Sequence, residues 1–305
     1  MGSLPLLVLM MFSITMGLLC QNWLIVIFMM EFSMFCLIFL SSTTNNVSSG
    51  MWALKYFLVQ SIGSVILMFA GLLVYFYQDI SEWWLAIALL GLCLKLGVFP
   101  MHFWVLPVNK SLTFLQLGLV NSPLKILPLS LLSEVCGFFS QFNISHFLFL
   151  LAGGSMISGV VIGLSSVTLR GILGASSITH SGWFLLAAMS WDVFKYFFLY
   201  SISLLMFIFF VMGSWNMYSG LALYALAGLP PFSVFFGKLF VVKVSLILGY
   251  PMPIIVVALA SSVFSLIYYL NFSFYLYMLK KNSGPFVLGV MFCLMNFLIT
   301  FKLFV

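Results

Sequence analysis

Apolar residues in this chain run in unbroken stretches of about 20, long enough to cross a hydrocarbon core of roughly 30 Å as helices. Short polar connections such as Ser41-Ser42-Thr43-Thr44-Asn45-Asn46 separate them. Only helices and closed barrels satisfy their backbone groups in lipid, and continuous apolarity without period-2 alternation excludes the barrel. The pattern predicts an all-α polytopic membrane protein with about 11 transmembrane helices. The predicted spans are roughly 4–20, 22–40, 51–77, 83–106, 113–133, 144–165, 173–189, 194–216, 221–248, 253–279 and 286–305.

Two segments interrupt this pattern. One is Lys95-Leu96-Gly97-Val98-Phe99-Pro100-Met101-His102-Phe103-Trp104 in the fourth span, the other Ala227-Gly228-Leu229-Pro230-Pro231-Phe232 in the ninth. Proline removes a backbone donor and clashes with the preceding turn, so both helices should be discontinuous. The breaks lie five spans apart, which divides the chain into two sets of five. A repeat with an odd number of spans inserts with inverted topology, and paired broken helices in inverted repeats point to a transport site at the midplane. The expected organisation is one membrane domain over 1–305: a first repeat at 1–133, a second, inverted repeat at 144–279, and an extra helix at 286–305.

Composition supports the membrane class: 64% of residues are apolar and 5% charged, against about a quarter charged in a soluble domain. The net charge of +6 comes from scattered bases, with no basic run to bind nucleic acid. Cys20, Cys36, Cys93, Cys136 and Cys293 are far apart and form no CxxC pair, so they read as apolar packing residues and not as metal ligands. His102, His146 and His180 fall in separate spans, and no GxGxxG or Walker loop is present, so no cofactor is expected. The start, Met1-Gly2-Ser3, lacks a basic region, and the first apolar run reads as a retained span.

Loop charges set an orientation. On the side of the N-terminus the loops hold Lys110, Arg170, Lys280 and Lys281; on the other they hold Asp79, Glu82, Glu134 and Asp192, with Lys195. The positive-inside rule puts the N-terminus inside and the C-terminus outside.

Four charges fall near the middle of spans two, four, five and nine: Glu31, Lys95, Lys125 and Lys238. Each costs about 2.5–3.5 kcal/mol at the bilayer centre, together on the order of 10 kcal/mol if unpaired, so intramembrane ionisable residues are functional candidates. Glu31 is the one acid deep in a span and the natural partner for a nearby lysine. A lysine that exchanges a proton as its partner moves is a pumping element. Lys125 lies between Pro123 and Pro128, which loosen the helix, with Asn121 one turn earlier. Ser176-Ser177-Ile178-Thr179-His180 is a polar cluster in an apolar span, and His180 is a candidate relay because histidine titrates near neutral pH. Lys55 and Lys243 lie where a lysine can snorkel to an interface. Gly159 and Gly163 form a helix-packing GxxxG motif.

An ordered set of segments resembles one known family. They are Asn22-Trp23-Leu24 with Glu31 downstream, Lys55 to Gln60, Leu94-Lys95-Leu96-Gly97 leading to Pro100 and His102-Phe103-Trp104, Leu169-Arg170, Ser176 to Trp183, and Gly228-Leu229-Pro230-Pro231-Phe232 followed by Lys238. The chain resembles the antiporter-like membrane subunits of NADH–ubiquinone oxidoreductase (respiratory complex I), in the animal, mitochondrially encoded form that lacks three N-terminal helices. The resemblance implies proton translocation coupled to electron transfer from NADH to ubiquinone, as part of the enzyme complex and with no redox chemistry in this chain. It implies a multi-pass protein of the mitochondrial inner membrane, with the N-terminus in the matrix and the C-terminus in the intermembrane space. The implied partners are neighbouring antiporter-like subunits, the small subunit 4L and membrane lipids. Residue by residue, Glu31 and Lys95 would be the regulating ion pair, Lys125 the central proton carrier, Lys238 the exit-side lysine, and His180 a residue on the hydrophilic axis. The chain has Pro123-Leu124 where the family commonly has Trp-Gln, and Asn271 where it often has Arg. Two alternatives stay open: a free-standing cation/proton antiporter, and a structural membrane subunit without its own proton path.

Overall fold

The computed structural model describes residues 3–42, 47–77, 82–139, 145–190, 193–230, 232–278, 289, 291–293 and 295–296. Asp79, Asp192, Pro231, Lys280 and Lys281, the side chain of Glu82 and most of the predicted span 286–305 lie outside them.

The described residues are helical almost throughout. In chain order the helices are α1 (Ser3–Leu19), α2 (Trp23–Ser42), α3 (Val47–Tyr77), α4 (Glu82–Leu96), α5 (Val105–Ser111), α6 (Phe114–Asn121), α7 (Ile126–Phe139), α8 (Ser145–Ser165), α9 (Leu169–Ala188), α10 (Val193–Met212), α11 (Asn216–Ala227), α12 (Ser233–Ile247) and α13 (Met252–Met278). Among the described residues six segments are long and apolar enough to cross a membrane: Trp23–Ser42, Gly50–Leu73, Phe114–Gly137, His146–Ser165, Val193–Met212 and Met252–Met278. Leu4–Leu19 and Trp83–Leu96 are shorter apolar helices.

The chain divides into two compact units, Met1–Ser155 and Met156–Val305. In the first, α2 packs on α1 and α3, and α4 packs between α3 and α7. Glycines set the α3–α4 approach: a Cβ on Gly91 would lie 3.0 Å from the Gly63 carbonyl, and one on Gly63 would lie 3.1 Å from Lys95 Cγ. Small residues let helix backbones come together where lipid supplies no hydrophobic drive. At one end of this unit Trp23 Nε1 donates to Glu134 Oε2 at 2.8 Å, tying the start of α2 to α7.

In the second unit α10 packs on α9, α11 and α12, and α13 packs on α9 and α11. The helix α9 is buried from Gly171 to Ala188 although it carries five serine, threonine and histidine side chains. The GxxxG pair serves packing: a Cβ on Gly159 would meet the Thr179 backbone nitrogen at 2.7 Å, and one on Gly163 would meet the Tyr268 ring at 2.7 Å.

Three predicted spans are broken, one more than the two expected. The fourth predicted span is α4 followed by an irregular stretch and α5; the ninth is α11 and α12. The two breaks close the same way. Gly97 has φ +70° and Gly228 φ +81°. Val98 N–H donates to the Cys93 carbonyl, and Leu229 N–H to the Tyr224 carbonyl. Both are Schellman closures, in which a left-handed residue lets the chain cap its own last carbonyls. The third break divides the predicted fifth span. There α6 ends at Asn121, a single 3-10 turn covers Pro123–Lys125, and α7 begins at Ile126. Pro123 has no N–H to continue the α6 ladder, so the loosening expected of the prolines becomes an interruption.

Candidate functional site

Each candidate charge sits at one of these breaks or packs against one. Lys95 is the second-last residue of α4. The carbonyls that the break frees are taken up by side chains: Gln60 Nε2 donates to the Lys95 carbonyl at 3.3 Å and Trp104 Nε1 to the Leu94 carbonyl at 2.9 Å. Gly63 leaves room for the Lys95 stem. Glu31, half-buried on α2, lies within electrostatic reach of Lys95. The expected ion pair is not closed in this state: Glu31 Oε1 is buried without a hydrogen-bond partner.

Lys238 reaches the other break from the following helix. Its Nζ donates to the Ala227 carbonyl at 3.1 Å, the last carbonyl of α11. The ammonium also stands 5.9 Å from the centroid of the Trp183 ring, within the range of a cation–π contact. A Cβ on Gly228 would lie 3.3 Å from Nζ, so the glycine serves both the backbone turn and the lysine's seat. Lys95 lies in the last turn of α4 and the Lys238 ammonium reaches the last carbonyl of α11, so each lysine belongs to the C-terminal end of an interrupted helix. There the helix dipole favours a cation by about 0.3–1 kcal/mol, and up to about 2 kcal/mol when partly buried. The sequence offset between the two, one before its proline and one after, hides this shared placement.

Lys125 is different. It closes the 3-10 turn between the C-terminus of α6 and the N-terminus of α7, where its own N–H donates to the Ser122 carbonyl. No carboxylate is recorded beside Lys125 or Lys238 among the described residues. The three lysines are buried, at 6%, 5% and 7% exposure for Lys95, Lys125 and Lys238. Lys55 and Lys243 are exposed on their helices.

His180, 2% exposed, lies mid-way along the enclosed helix α9. Its Nδ1 is 2.6 Å from the Tyr196 hydroxyl, and its ring is 4.4 Å from that of Tyr200. Tyr268 and Tyr269 of α13 lie close together, their rings tilted with centroids 4.7 Å apart. Sequence reasoning missed these four tyrosines, because tyrosine counts as aromatic filler within an apolar span. The available signal was spacing: Tyr196 and Tyr200 are four apart, on one helix face.

Among the described residues no group of three or more histidine, cysteine or carboxylate side chains could hold a metal ion, and the cysteines are free thiols. What the site offers is titratable nitrogens and hydroxyls in an apolar interior.

Comparison with known proteins gives this site a setting. Residues 20–220 match the family described as NADH:quinone oxidoreductase/Mrp antiporter, TM. The chain belongs to this family. Among its relatives, a protein of Albinaria caerulea named NADH-ubiquinone oxidoreductase chain 2 is 35% identical over 86% of this chain and 85% of its own. The protein of the same name from Lumbricus terrestris is 30% identical, over 85% and 82%. Solved structures share the fold. A chain of respiratory complex I from Thermus thermophilus superposes with a TM-score of 0.77 at 21% identity, covering 91% of this chain and 74% of that one. A chain of the Mrp complex from Dietzia gives 0.78 at 16%, covering 87% and 59%. Chains from both kinds of assembly therefore share the overall fold of this one.

Proposed function

We propose that the chain is an antiporter-like core membrane subunit of respiratory complex I in the mitochondrial inner membrane, and that it takes part in proton translocation coupled to electron transfer from NADH to ubiquinone. The chemistry of electron transfer lies in other subunits; this chain carries protons. The observation that carries the reading is the seating of buried lysines at interrupted helices, in a chain whose relatives are named NADH-ubiquinone oxidoreductase chain 2.

The proposed path begins at Glu31 and Lys95. Movement of Glu31 toward or away from Lys95 gates the first lysine. Lys125 is the central carrier and Lys238 the exit-side lysine, with His180 a relay in the second unit. Two inverted five-helix repeats, at 1–133 and 144–279, with an extra helix at 286–305, organise the path; the matching Schellman closures at Gly97 and Gly228 support that symmetry. The N-terminus faces the matrix and the C-terminus the intermembrane space. The Trp23–Glu134 bond supports this orientation by placing the end of α1, the start of α2 and an acidic residue of α7 on one side. The partners are the neighbouring antiporter-like subunits and the small subunit 4L.

The test is Lys125→Met in the assembled complex. Methionine keeps the length and apolar bulk of the stem and removes the proton site. Assembly should be kept on a native gel while NADH–quinone turnover coupled to pumping falls at least about a hundredfold, the lower end of the scale for losing one general acid–base group. An unchanged rate and proton-to-electron ratio would refute the role. Migration of the native protein away from NADH dehydrogenase activity would favour a free-standing antiporter instead.

A further inference from the structure

Inside the second unit the candidate relay His180 sits in a polar cluster whose other members the lysine path does not use. Ser176, Thr179 and His180 share one face of α9. Tyr196 and Tyr200 of α10 meet them, and Ser265, Tyr268 and Tyr269 come from α13. All eight are at least nine-tenths buried. A close side-chain hydrogen bond joins two of the rings, His180 Nδ1 to the Tyr196 hydroxyl at 2.6 Å. The hydroxyls of Tyr200, Tyr268 and Tyr269 are buried without a partner. Thr179, Ser265 and Tyr269 stand around the Tyr268 hydroxyl and Ser176 beside that of Tyr269, but none is at good hydrogen-bonding geometry.

Packing alone does not account for this. Phenylalanine would fill the same volume without burying an unpaired hydroxyl, and unpaired buried polar groups in native proteins call for an explanation. Three such phenols beside a hydrogen-bonded histidine have unused capacity to donate and accept protons. The cluster also adjoins Lys238. A Cβ on Gly237 would lie 2.9 Å from the Tyr196 ring, so the missing side chain seats Tyr196 against α12 one residue before the lysine. Trp183, which faces the Lys238 ammonium, has its ring 6.2 Å from that of Tyr196.

We propose that Tyr196 is the positioning and relay partner of His180, and that Tyr200, Tyr268 and Tyr269 extend this relay as a buried phenol cluster beside Lys238. The inference rests on the reading of the chain as a proton-carrying subunit. The transfer balances without forming a phenolate. The Tyr196 hydroxyl gives its proton to Nδ1 of neutral His180 while its oxygen accepts one from a neighbouring hydroxyl or water, and Nε2 releases the proton it held. One proton enters at a phenol oxygen and one leaves at the imidazole; each group ends neutral. A half-turn of the imidazole, which exchanges Nδ1 and Nε2, restores the starting tautomer without returning the proton.

The experiment is Tyr196→Phe, which removes one oxygen, in complex I isolated from mitochondria carrying the variant. The measurements are native-gel assembly, NADH–quinone turnover per assembled complex in H2O and D2O, and the pH profile of turnover. Assembly should be unchanged and turnover should fall about fivefold, the scale of one lost hydrogen bond, with a changed solvent isotope effect. The pH profile should match that of His180→Gln, and the double variant should be no slower than the slower single one. Tyr200→Phe should give the same pattern with a smaller loss, which keeps the idea testable if Tyr196→Phe fails to assemble. Native turnover and pH profile per assembled complex in both tyrosine variants would overturn the relay, whether or not assembly suffers. If Lys125→Met impairs pumping while the tyrosine variants do not, this inference falls alone. If none of the three has an effect, the proton-carrying reading falls with it.

Discussion

Three glycines with positive φ allow the contribution of the Lys238 seat to be separated from backbone strain. Gly249 (φ +69°) has nothing within 4 Å of an added Cβ, Gly228 (φ +81°) has the Lys238 ammonium at 3.3 Å, and Gly97 (φ +70°) has the Val105 side chain in overlap. Alanine at any of them costs about 1–2 kcal/mol for the left-handed backbone. At Gly249 that is the whole effect. At Gly228 the added methyl presses on the ammonium, which must give by a few tenths of an ångström; full loss of its charge-assisted hydrogen bond to the Ala227 carbonyl would set an upper bound of about 1.5–3 kcal/mol on the added cost. At Gly97 overpacking against Val105 adds about 1–3 kcal/mol to the strain. At their upper bounds the totals are similar at Gly97 and Gly228, but they fall on different properties. Gly97→Ala should reduce the amount of assembled complex on a native gel. Gly228→Ala should leave more complex assembled yet lower its NADH–quinone turnover, by at least about tenfold if the full bond energy enters the limiting step. Gly249→Ala should leave turnover per assembled complex unchanged. Equal turnover in Gly228→Ala and Gly249→Ala would refute the argument that the Lys238 seat serves proton transfer.

Two further substitutions test the packing that positions the site. Gly159→Ala drives a methyl into the Thr179 backbone nitrogen at 2.7 Å and the Ala175 carbonyl at 2.9 Å, so α8 and α9 must part; assembled complex should fall severely, and near-native assembly would count against the close helix approach. Trp23→Phe removes the 2.8 Å bond to Glu134, but that bond is exposed, so the loss should stay below about 1 kcal/mol and show as slightly lower thermal resistance of the complex with normal turnover.

The membrane class and the helix breaks at Gly97 and Gly228 were legible because both depend on local chemistry. Long apolar runs must become helices in lipid, and a glycine before proline must interrupt one. The break at Lys125 was only half legible. Pro123 announced a disturbance, but whether a helix kinks or stops depends on what receives the freed groups; here Ser122 caps α6 by donating its hydroxyl to the Gly118 carbonyl at 2.6 Å. The stabilisation of the first break was not legible at all. Gln60 lies 35 positions from the carbonyl it serves, and nothing in the α3 sequence marks it for that carbonyl. The tyrosine cluster was hidden for a similar reason: hydropathy scores a phenol as aromatic bulk, and only three-dimensional packing brings α9, α10 and α13 together.

The breaks also give the lysines an asymmetry that bears on mechanism. Lys95 and Lys238 stand at C-terminal helix ends, where fixed carbonyls favour the cation, and Lys238 is held there by a hydrogen bond. Lys125 closes the 3-10 turn between α6 and α7, and among the described residues neither a carboxylate beside it nor a hydrogen bond from its ammonium holds the charge in place. Of the three, its charge is the least fixed. A path whose outer lysines are anchored and whose central lysine is not will change protonation most readily at its centre. Under the proposed function, Lys125 is therefore the member whose charge should follow Glu31 and Lys95. Neutralising it should uncouple the two units, whereas neutralising Lys238 should stop the proton at the last step.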